Sequence, residues 1–368
     1  MALWVDKHRP RTLDRLDYHG ELTSQLKRLV AGSELPHLLF HGPSGAGKKT
    51  RINGMLRALF GAGVEKLRLE QKEFEVGASK KKVSLTTVAS NYHIEMNPSD
   101  LGNYDKDVVS QVVKEIAQYH PLDSGAGQKS FKVVVLMEAD RLTRQAQAAL
   151  RRTMEKYSGS CRLVLCVESP TRVIEPVRSR CLCLRVAAPT HEQIQEVLAS
   201  VCRREQLQLP AEFSAKVARA SERNMRRALL LLEASRVQQY PFTADQDVQL
   251  ADWERYVSQI AREILAEQSP QCLMRVRTKL YELLTNCVLA DVIIKRLEHE
   301  LSSTLDDTVR HKMAQDAAFY EHRLCLGSKE IYHLESFVAR FMATYKTHLC
   351  EQSQMLANMD MDFDDDDF

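Results

Sequence analysis

Seven consecutive residues, Gly42-Pro43-Ser44-Gly45-Ala46-Gly47-Lys48, have the composition of a loop that can wrap phosphate groups. Glycines let the backbone turn tightly enough to aim several N–H groups at one anion, and a helix starting directly afterwards adds the positive end of its dipole. Lys48, at the end of the loop, has the length and charge to reach the outer phosphates of a nucleotide. The spacing G-x-x-x-x-G-K also arises by chance, so its weight comes from its setting. The apolar run Leu38-Leu39-Phe40 precedes it, and Ile52, Met55, Leu56 and Leu59 follow at helical spacing, which makes the segment strand, loop, helix.

The next residue departs from what nucleotide hydrolysis requires. A serine or threonine hydroxyl is needed there to ligate magnesium, and this chain has Lys49. Thr50 comes one residue late, about 100° further around the helix, and does not substitute for it. A second apolar strand, Phe131 to Met137, runs on into Glu138-Ala139-Asp140. Glu138 stands where a glutamate would polarise an attacking water, but Met137 occupies the position of the aspartate that would hold the metal. A thioether is a poor ligand for a hard cation, and an ammonium repels one. Loss at both positions predicts a site, Gly42 to Thr50, that holds ATP or ADP with little or no hydrolysis and in which magnesium is doubtful. No residue is assigned as a metal ligand.

The elements that must position this loop follow from hydrophobic periodicity. Buried-strand runs at 36–41, 131–137, 162–167 and 181–186 alternate with helical stretches, a pattern of a mainly parallel sheet covered on both faces. After Ala187 the character changes: glycine is absent between Gly159 and Gly327, and every periodic segment is helical. His191 to Glu205, Glu212 to Ala220 and Met225 to Tyr240 form three short helices, and long amphipathic helices run from Trp253 to His348 with breaks near 269–270, 306–307 and 327–328. The expected organisation is an α/β domain over 1–187, a helical lid over 188–244, a helical C-terminal domain over 245–350, and a tail over 351–368.

Composition narrows the class. The 368 residues suffice for two or three domains, and 44% hydrophobic with 27% charged residues is ordinary globular usage. The apolar runs fall short of the roughly 18 residues of a membrane span, and the N-terminus lacks the apolar core of a signal peptide. Nine cysteines, an odd number with no C-x-x-C pair, fit a reducing compartment better than a disulfide framework. Cys181 and Cys183 share one face of a strand and read as buried small hydrophobes. The net charge of +2 conceals an asymmetry: seven acids and no Lys or Arg fall in 351–368, which leaves 51 basic and 42 acidic residues, or +9, on 1–350. A basic body is compatible with a polyanionic partner, and a solvated surface explains it equally well; the acidic tail is expected to be disordered.

Several further segments carry a resemblance. Trp4-Val5-Asp6-Lys7-His8-Arg9-Pro10, Gly42 to Thr50, Glu138-Ala139-Asp140, Ala148 to Glu155, Ser179-Arg180-Cys181 and Asn224 to Leu229 stand in the order found in AAA+ clamp-loader subunits. The chain most resembles the small subunits of eukaryotic replication factor C, and among them the kind with a G-K-K-T loop and a degenerate ATPase site. Leu326 to Lys329 and Ile331 to Glu335 extend the likeness towards the C-terminus.

The resemblance implies an AAA+ (P-loop) fold with lid and helical collar, and a nuclear heteropentamer with four other replication factor C subunits. That assembly uses ATP to place the sliding clamp (PCNA) around primer-template DNA in replication and repair. It implies that Val5 and Arg9 line the adenine side and that Arg226, as a second sensor, touches the nucleotide. Lys49, Met137 and Glu168, the last in place of a sensor asparagine, depart from active members, whereas Ser179-Arg180-Cys181 is intact. Arg180 would then be an arginine finger lent in trans to a neighbour's ATP, where a planar permanent cation can neutralise charge on the γ-phosphate.

Residues 74–85 read as a hairpin-like insertion with a glycine turn, and Lys80, Lys81 and Lys82 near its tip are candidates for DNA phosphate contacts. The helix 107–118, with Val108, Val109, Val112, Val113 and Ile116, is more apolar than a surface helix needs, and is either core or a clamp contact. Two other readings of the whole remain open, an autonomous P-loop ATPase and a nucleotide-free structural subunit.

Overall fold

Leu38, Leu39 and Phe40 are all 0% exposed, a pattern that an isolated strand cannot give and a strand covered on both faces must. They lie at the centre of the first of two units, Met1–Gln249 and Leu250–Phe368. The structure, a computed structural model, describes residues 2–32, 34–76, 81–98, 102, 104–118 and 131–364, with the backbone alone at 75, 76, 81, 117, 118 and 355–364.

The first unit runs α1 (Trp4–Lys7), α2 (Gly20–Ala31), β1 (His37–His41), α3 (Lys48–Phe60), β2 (Arg68–Val76), β3 (Lys81–Ala89), β4 (His93–Met96) and α4 (Asp105–Gln118). It continues with β5 (Lys132–Leu136), α5 (Arg144–Lys156), β6 (Cys161–Val167), α6 (Glu175–Arg178), β7 (Cys181–Arg185), α7 (His191–Arg204), α8 (Ala211–Ala220) and α9 (Met225–Gln238). The sheet order is β2-β3-β4-β5-β6-β1-β7. From β4 to β7 all pairings are parallel, and β2 and β3 add an antiparallel hairpin at one edge, with Phe74 opposite Val83.

Alternation along the strands divides the interior into two layers. Val134, Leu136, Leu163 and Leu165 point to the side covered by α4 and α5, whereas Val133, Val135, Val164 and Cys166 point to the side covered by α2 and α3. At about 1.5–3 kcal/mol per fully buried aliphatic side chain, these layers are the main force that holds the loop after β1 in place. Val108, Val109, Val112, Val113 and Ile116 of α4 are at most 4% exposed and belong to the first layer, so of the two sequence readings the core one holds. The expectation for the cysteine pair needs correction. β7 is an edge strand beside β1 alone, and while Cys181 is half-buried, Cys183 is exposed.

The lid helices α7, α8 and α9 enclose Ile194, Leu198, Phe213 and Leu232, and Trp4 from the chain start is packed among them. A capping box explains where α7 begins: the Thr190 hydroxyl accepts from Gln193 N while the Gln193 side chain accepts from Thr190 N.

The second unit consists of α10 (Asp252–Ala266), α11 (Pro270–Thr285), α12 (Ala290–Ser302), α13 (Asp307–Leu326) and α14 (Glu330–Asp364) around Leu280, Leu297, Phe337 and Phe341. All three breaks expected from sequence are present, the first made by the Ser269 cap with Pro270 in the first turn. A fourth, at 286–289, was not expected, and Cys287 there has φ 60°. The tail expected to be disordered from 351 is instead helical in its backbone to Asp364. Residues 351–359 contain a single acid among good helix formers, and the aspartate run comes only after them. Among the described residues no helix is long and apolar enough to cross a membrane.

Candidate functional site

The loop after β1 turns through Gly42, Gly45 and Gly47, all with positive φ. At all three the requirement is steric as well: a Cβ on Gly42 would lie 1.9 Å from the backbone carbonyl oxygen of Val186. A Cβ on Gly45 would lie 1.8 Å from Asn224 Oδ1, and one on Gly47 would lie 2.6 Å from the Tyr18 hydroxyl and 2.9 Å from Arg51 Nη1. Asn224 is the N-cap of α9, accepting from Arg227 N at 3.1 Å, so the tip of the loop rests against the first turn of this last lid helix.

Beneath the loop lies Arg51, 0% exposed. Its guanidinium carbon is 4.6 Å from the centre of the Tyr18 ring, and it donates to the carbonyls of Ala46 (3.3 Å), Gly47 (3.4 Å) and Tyr18 (3.0 Å). Tyr18 in turn donates from its hydroxyl to Ala46 O at 3.1 Å. Holding a permanent cation on neutral carbonyls leaves its charge free to act on whatever occupies the loop above it.

The two lysines diverge. Lys48 Nζ donates to Gly42 O at 2.6 Å and to Pro43 O at 3.0 Å, lying along the loop. Lys49 pairs with the carboxylate of Glu95 on β4. Thr50 faces the cavity beside them. At the end of β5 the Met137 side chain and Glu138 line the same cavity, and Glu138 adopts a left-handed conformation with φ 51° and pairs with Arg141 at 3.3 Å. Asp140 accepts from Glu168 N at 3.3 Å and ties the ends of β5 and β6 together, while the Glu168 side chain is exposed. These donors do not fit magnesium: the hydroxyl position carries an ammonium already matched to a carboxylate, and the carboxylate position carries a thioether. Among the described residues no group of three or more His, Cys, Asp or Glu side chains could hold a metal. Cys166, on the floor of the cavity, has its thiol pushed up to about 11 by burial, so it remains neutral and is not a nucleophile.

The cavity, about 290 Å³, is closed on its far side by the lid and the chain start. Val5, Arg9, Ser44, Gly45, Gly47, Lys48, Lys49, Thr50 and Arg226 all face it. Gly42, Pro43 and Ala46 shape the loop without facing the cavity, and Ala46 is 0% exposed. Val197, Val201, Met225 and Leu229 supply an apolar wall suited to a flat heterocycle, opposite the polar phosphate loop. The chain start is held by Lys7 and His8, both on Glu205 (2.6 and 2.5 Å), and by Trp4 N donating to Glu233 at 3.0 Å. Arg9 pairs with Asp6 at 2.9 Å.

Arg180 lies elsewhere and does not line the cavity. It follows α6, half-buried, and its guanidinium grips one carboxylate oxygen of Glu155 on α5 through Nε (2.8 Å) and Nη2 (2.6 Å). Nη1 donates to Pro176 O at 2.7 Å. The plane of the guanidinium is thereby fixed from two sides. In the hairpin, Lys82 is exposed and lies 3.5 Å from Glu73; the backbone of Lys81 begins β3, and Lys80 lies outside the described residues. Sequence reasoning missed Tyr18, Arg51, Glu95 and Glu205. Arg51 follows Gly47 by one helical turn and was legible as a neighbour of the loop; Glu95 and Glu205 reach the site only through the topology.

Three family models match the chain: "DNA polymerase III, delta subunit" over 18–190, "RCF1/5-like, AAA+ ATPase lid domain" over 196–237, and "Replication factor C subunit 3, C-terminal domain" over 253–349. Replication factor C subunit 3 of Homo sapiens is 55% identical over 346 residues, 94% of this chain and 97% of that protein. Replication factor C subunit 5 of Oryza sativa is 50% identical over 349 residues, 94% and 98% of the respective chains. A solved structure of RuvB from Thermotoga maritima aligns with a TM-score of 0.49 at 16% identity, over 74% of this chain and 85% of that one. With identities of this size over nearly the full length of both chains, the protein belongs to the replication factor C subunit family, the AAA+ clamp-loader proteins of DNA replication.

Proposed function

We propose that this chain works in the nucleus as one of five subunits of a clamp loader, beside four other replication factor C subunits, and helps place the sliding clamp on primer-template DNA. Its own pocket holds ATP or ADP with little or no hydrolysis, and its Arg180 completes the active site of a neighbour. One contrast carries the reading: the cation at the metal-ligand position, Lys49, faces the pocket and is matched to Glu95 of β4, whereas Arg180 stands outside it with its guanidinium plane already set.

The division of labour follows from chemistry. Backbone N–H groups of the loop, Lys48 and the buried charge of Arg51 bind and orient phosphates; the apolar wall and the chain start exclude water from the base. Glu138 is present, but no pair of oxygen donors holds a divalent ion for it to work beside. Arg180, given to another site, neutralises developing charge on a transferred phosphoryl group, a role for which lysine is a poor substitute because it lacks the planar fork.

The test compares reconstituted pentamers carrying Lys48→Ala or Arg180→Ala. The first is expected to leave DNA-stimulated hydrolysis close to that of the unaltered complex. The second is expected to remove the share contributed by the neighbouring site, since a finger of this kind is worth about 10³ to 10⁵ in rate. Normal hydrolysis in the Arg180→Ala complex would refute the assignment.

A further inference from the structure

The pairing of Lys49 with Glu95 alters what the pocket needs from solution. We propose that the Lys49 ammonium, anchored by Glu95, is the resident cation of the nucleotide site and stands in for a divalent metal, so that this chain binds nucleotide independently of magnesium. The proposal rests on the nucleotide-binding reading above and specifies how that site is regulated, or rather left unregulated, by metal.

Position is the first argument. Lys49 is in the first turn of α3, where the hydroxyl ligand of a metal would stand, and Glu95 approaches from β4, the strand beside β5. Glu95 is in register with Val135, two residues before Met137, and Met137 N donates to Met96 O at 2.9 Å, which closes the strand ends together at this point. A carboxylate from the neighbouring strand thus serves the region from which the aspartate of β5 is missing. The Glu95 side chain is 15% exposed and that of Lys49 39%, so the carboxylate forms the base of the pair and the ammonium its outward end.

Stoichiometry of donors is the second. An ammonium has three N–H donors; Glu95 occupies one and leaves two for phosphate oxygens. A metal would likewise join a protein carboxylate to a phosphate, by coordination where the lysine uses hydrogen bonds. Charge is the third argument. Lys48, Lys49 and the fully buried Arg51 sit around the loop, and Arg9, Arg204 and Arg226 line the cavity, six cations against Glu95 and the lining carboxylates Asp17, Glu138 and Glu168, so the phosphates meet an excess of fixed positive charge of the kind magnesium usually brings. A divalent ion would in addition have to displace Lys49 from Glu95 and would find the thioether of Met137 behind it.

The measurement is the affinity of the full chain for a fluorescent ADP analogue in magnesium and in EDTA. The dissociation constant is expected to change by less than about twofold between the two buffers. Weakening by about tenfold or more in EDTA would overturn the proposal and leave nucleotide binding intact; absence of binding in both buffers would overturn the nucleotide-binding reading and this proposal with it. The double variant Lys49→Thr, Met137→Asp, which restores both oxygen donors, is expected to acquire a magnesium requirement of about tenfold or more. A folded double variant, checked by circular dichroism, that binds equally in both buffers would also count against the proposal. The comparison on the unaltered chain decides the matter whether or not the variant folds.

Discussion

Replacing Gly45 by alanine should damage two elements at once, because the loop tip and the lid meet at that Cα. The new methyl would sit 1.8 Å from Asn224 Oδ1, and the backbone there has φ 71°. Holding an L-residue in the left-handed region costs about 1–2 kcal/mol. The clash must displace Asn224, the N-cap of α9, and loss of such a cap costs about 0.5–2 kcal/mol. Reduced freedom of the unfolded chain returns about 0.4–1 kcal/mol, so the net destabilisation is about 1–3 kcal/mol. In a unit of this size that lowers the unfolding midpoint by roughly 2–10 °C. Gly20→Ala is the matched control: it begins α2, and a Cβ there meets nothing within 4 Å, so the same substitution should be neutral or stabilising. Thermal unfolding followed by circular dichroism reads both. Equal midpoints for the two variants would show that the contact between loop and lid cap does not exist in solution.

Two further outcomes follow from the charge distribution. His37, His41 and His93 all have their pKa values lowered from 6.5, each chiefly by burial, which outweighs the opposing pull of the Met154 backbone on His37 and of Glu95 on His93; Arg162, Arg185 and Lys49 respectively push in the same direction as burial. Their folded forms therefore stay neutral while the unfolded chain takes up protons, so stability is full above pH 6.5 and declines as the pH falls through and below that value. Unfolding midpoints measured from pH 7.5 to 5.5 should fall, and His93→Asn should flatten the slope; a flat profile for the unaltered chain contradicts the burial of these rings. In the hairpin, replacing Lys80, Lys81 and Lys82 with alanine should weaken DNA binding by the assembled loader and reduce the slope of log K against log salt by about 0.9 for each phosphate no longer neutralised. An unchanged slope would remove these lysines from the DNA-facing surface.

Much of the nucleotide pocket was legible in the chain because its parts are local. The loop, the strand before it and the helix after it are contiguous, and burial of Leu38 to Phe40 follows directly from their composition. The breaks of the second unit were legible where Ser-Pro, Asp-Asp or Gly-Ser interrupt the helical stripe, and not at 286–289, where no proline or glycine marks the turn. The partners of the key cations were beyond reach for a different reason. Glu95 meets Lys49 across 46 residues, and Lys7 meets Glu205 across 198, through a sheet order that no spacing rule encodes. β4 itself was not foreseen, since His93-Ile94-Glu95-Met96 offers only four residues with little alternation. Even Cys183 illustrates the limit: a strand pattern says which residues share a face but not whether that face, at the edge of a sheet, has anything above it.

The first ten residues give the pocket a property that its loop alone would not have. Trp4 is 4% exposed inside the lid, Glu205 of the lid grips Lys7 and His8, and Arg9 then borders the cavity on the way to Tyr18 beneath the loop. This run is a strap sewn to the roof at one end and to the floor at the other. Swinging the roof far open means slackening the strap or extracting the indole, and the latter costs on the order of 3–5 kcal/mol by the measure of losing a buried tryptophan. Whatever sits in the pocket is thus shut in by a seam rather than a hinge.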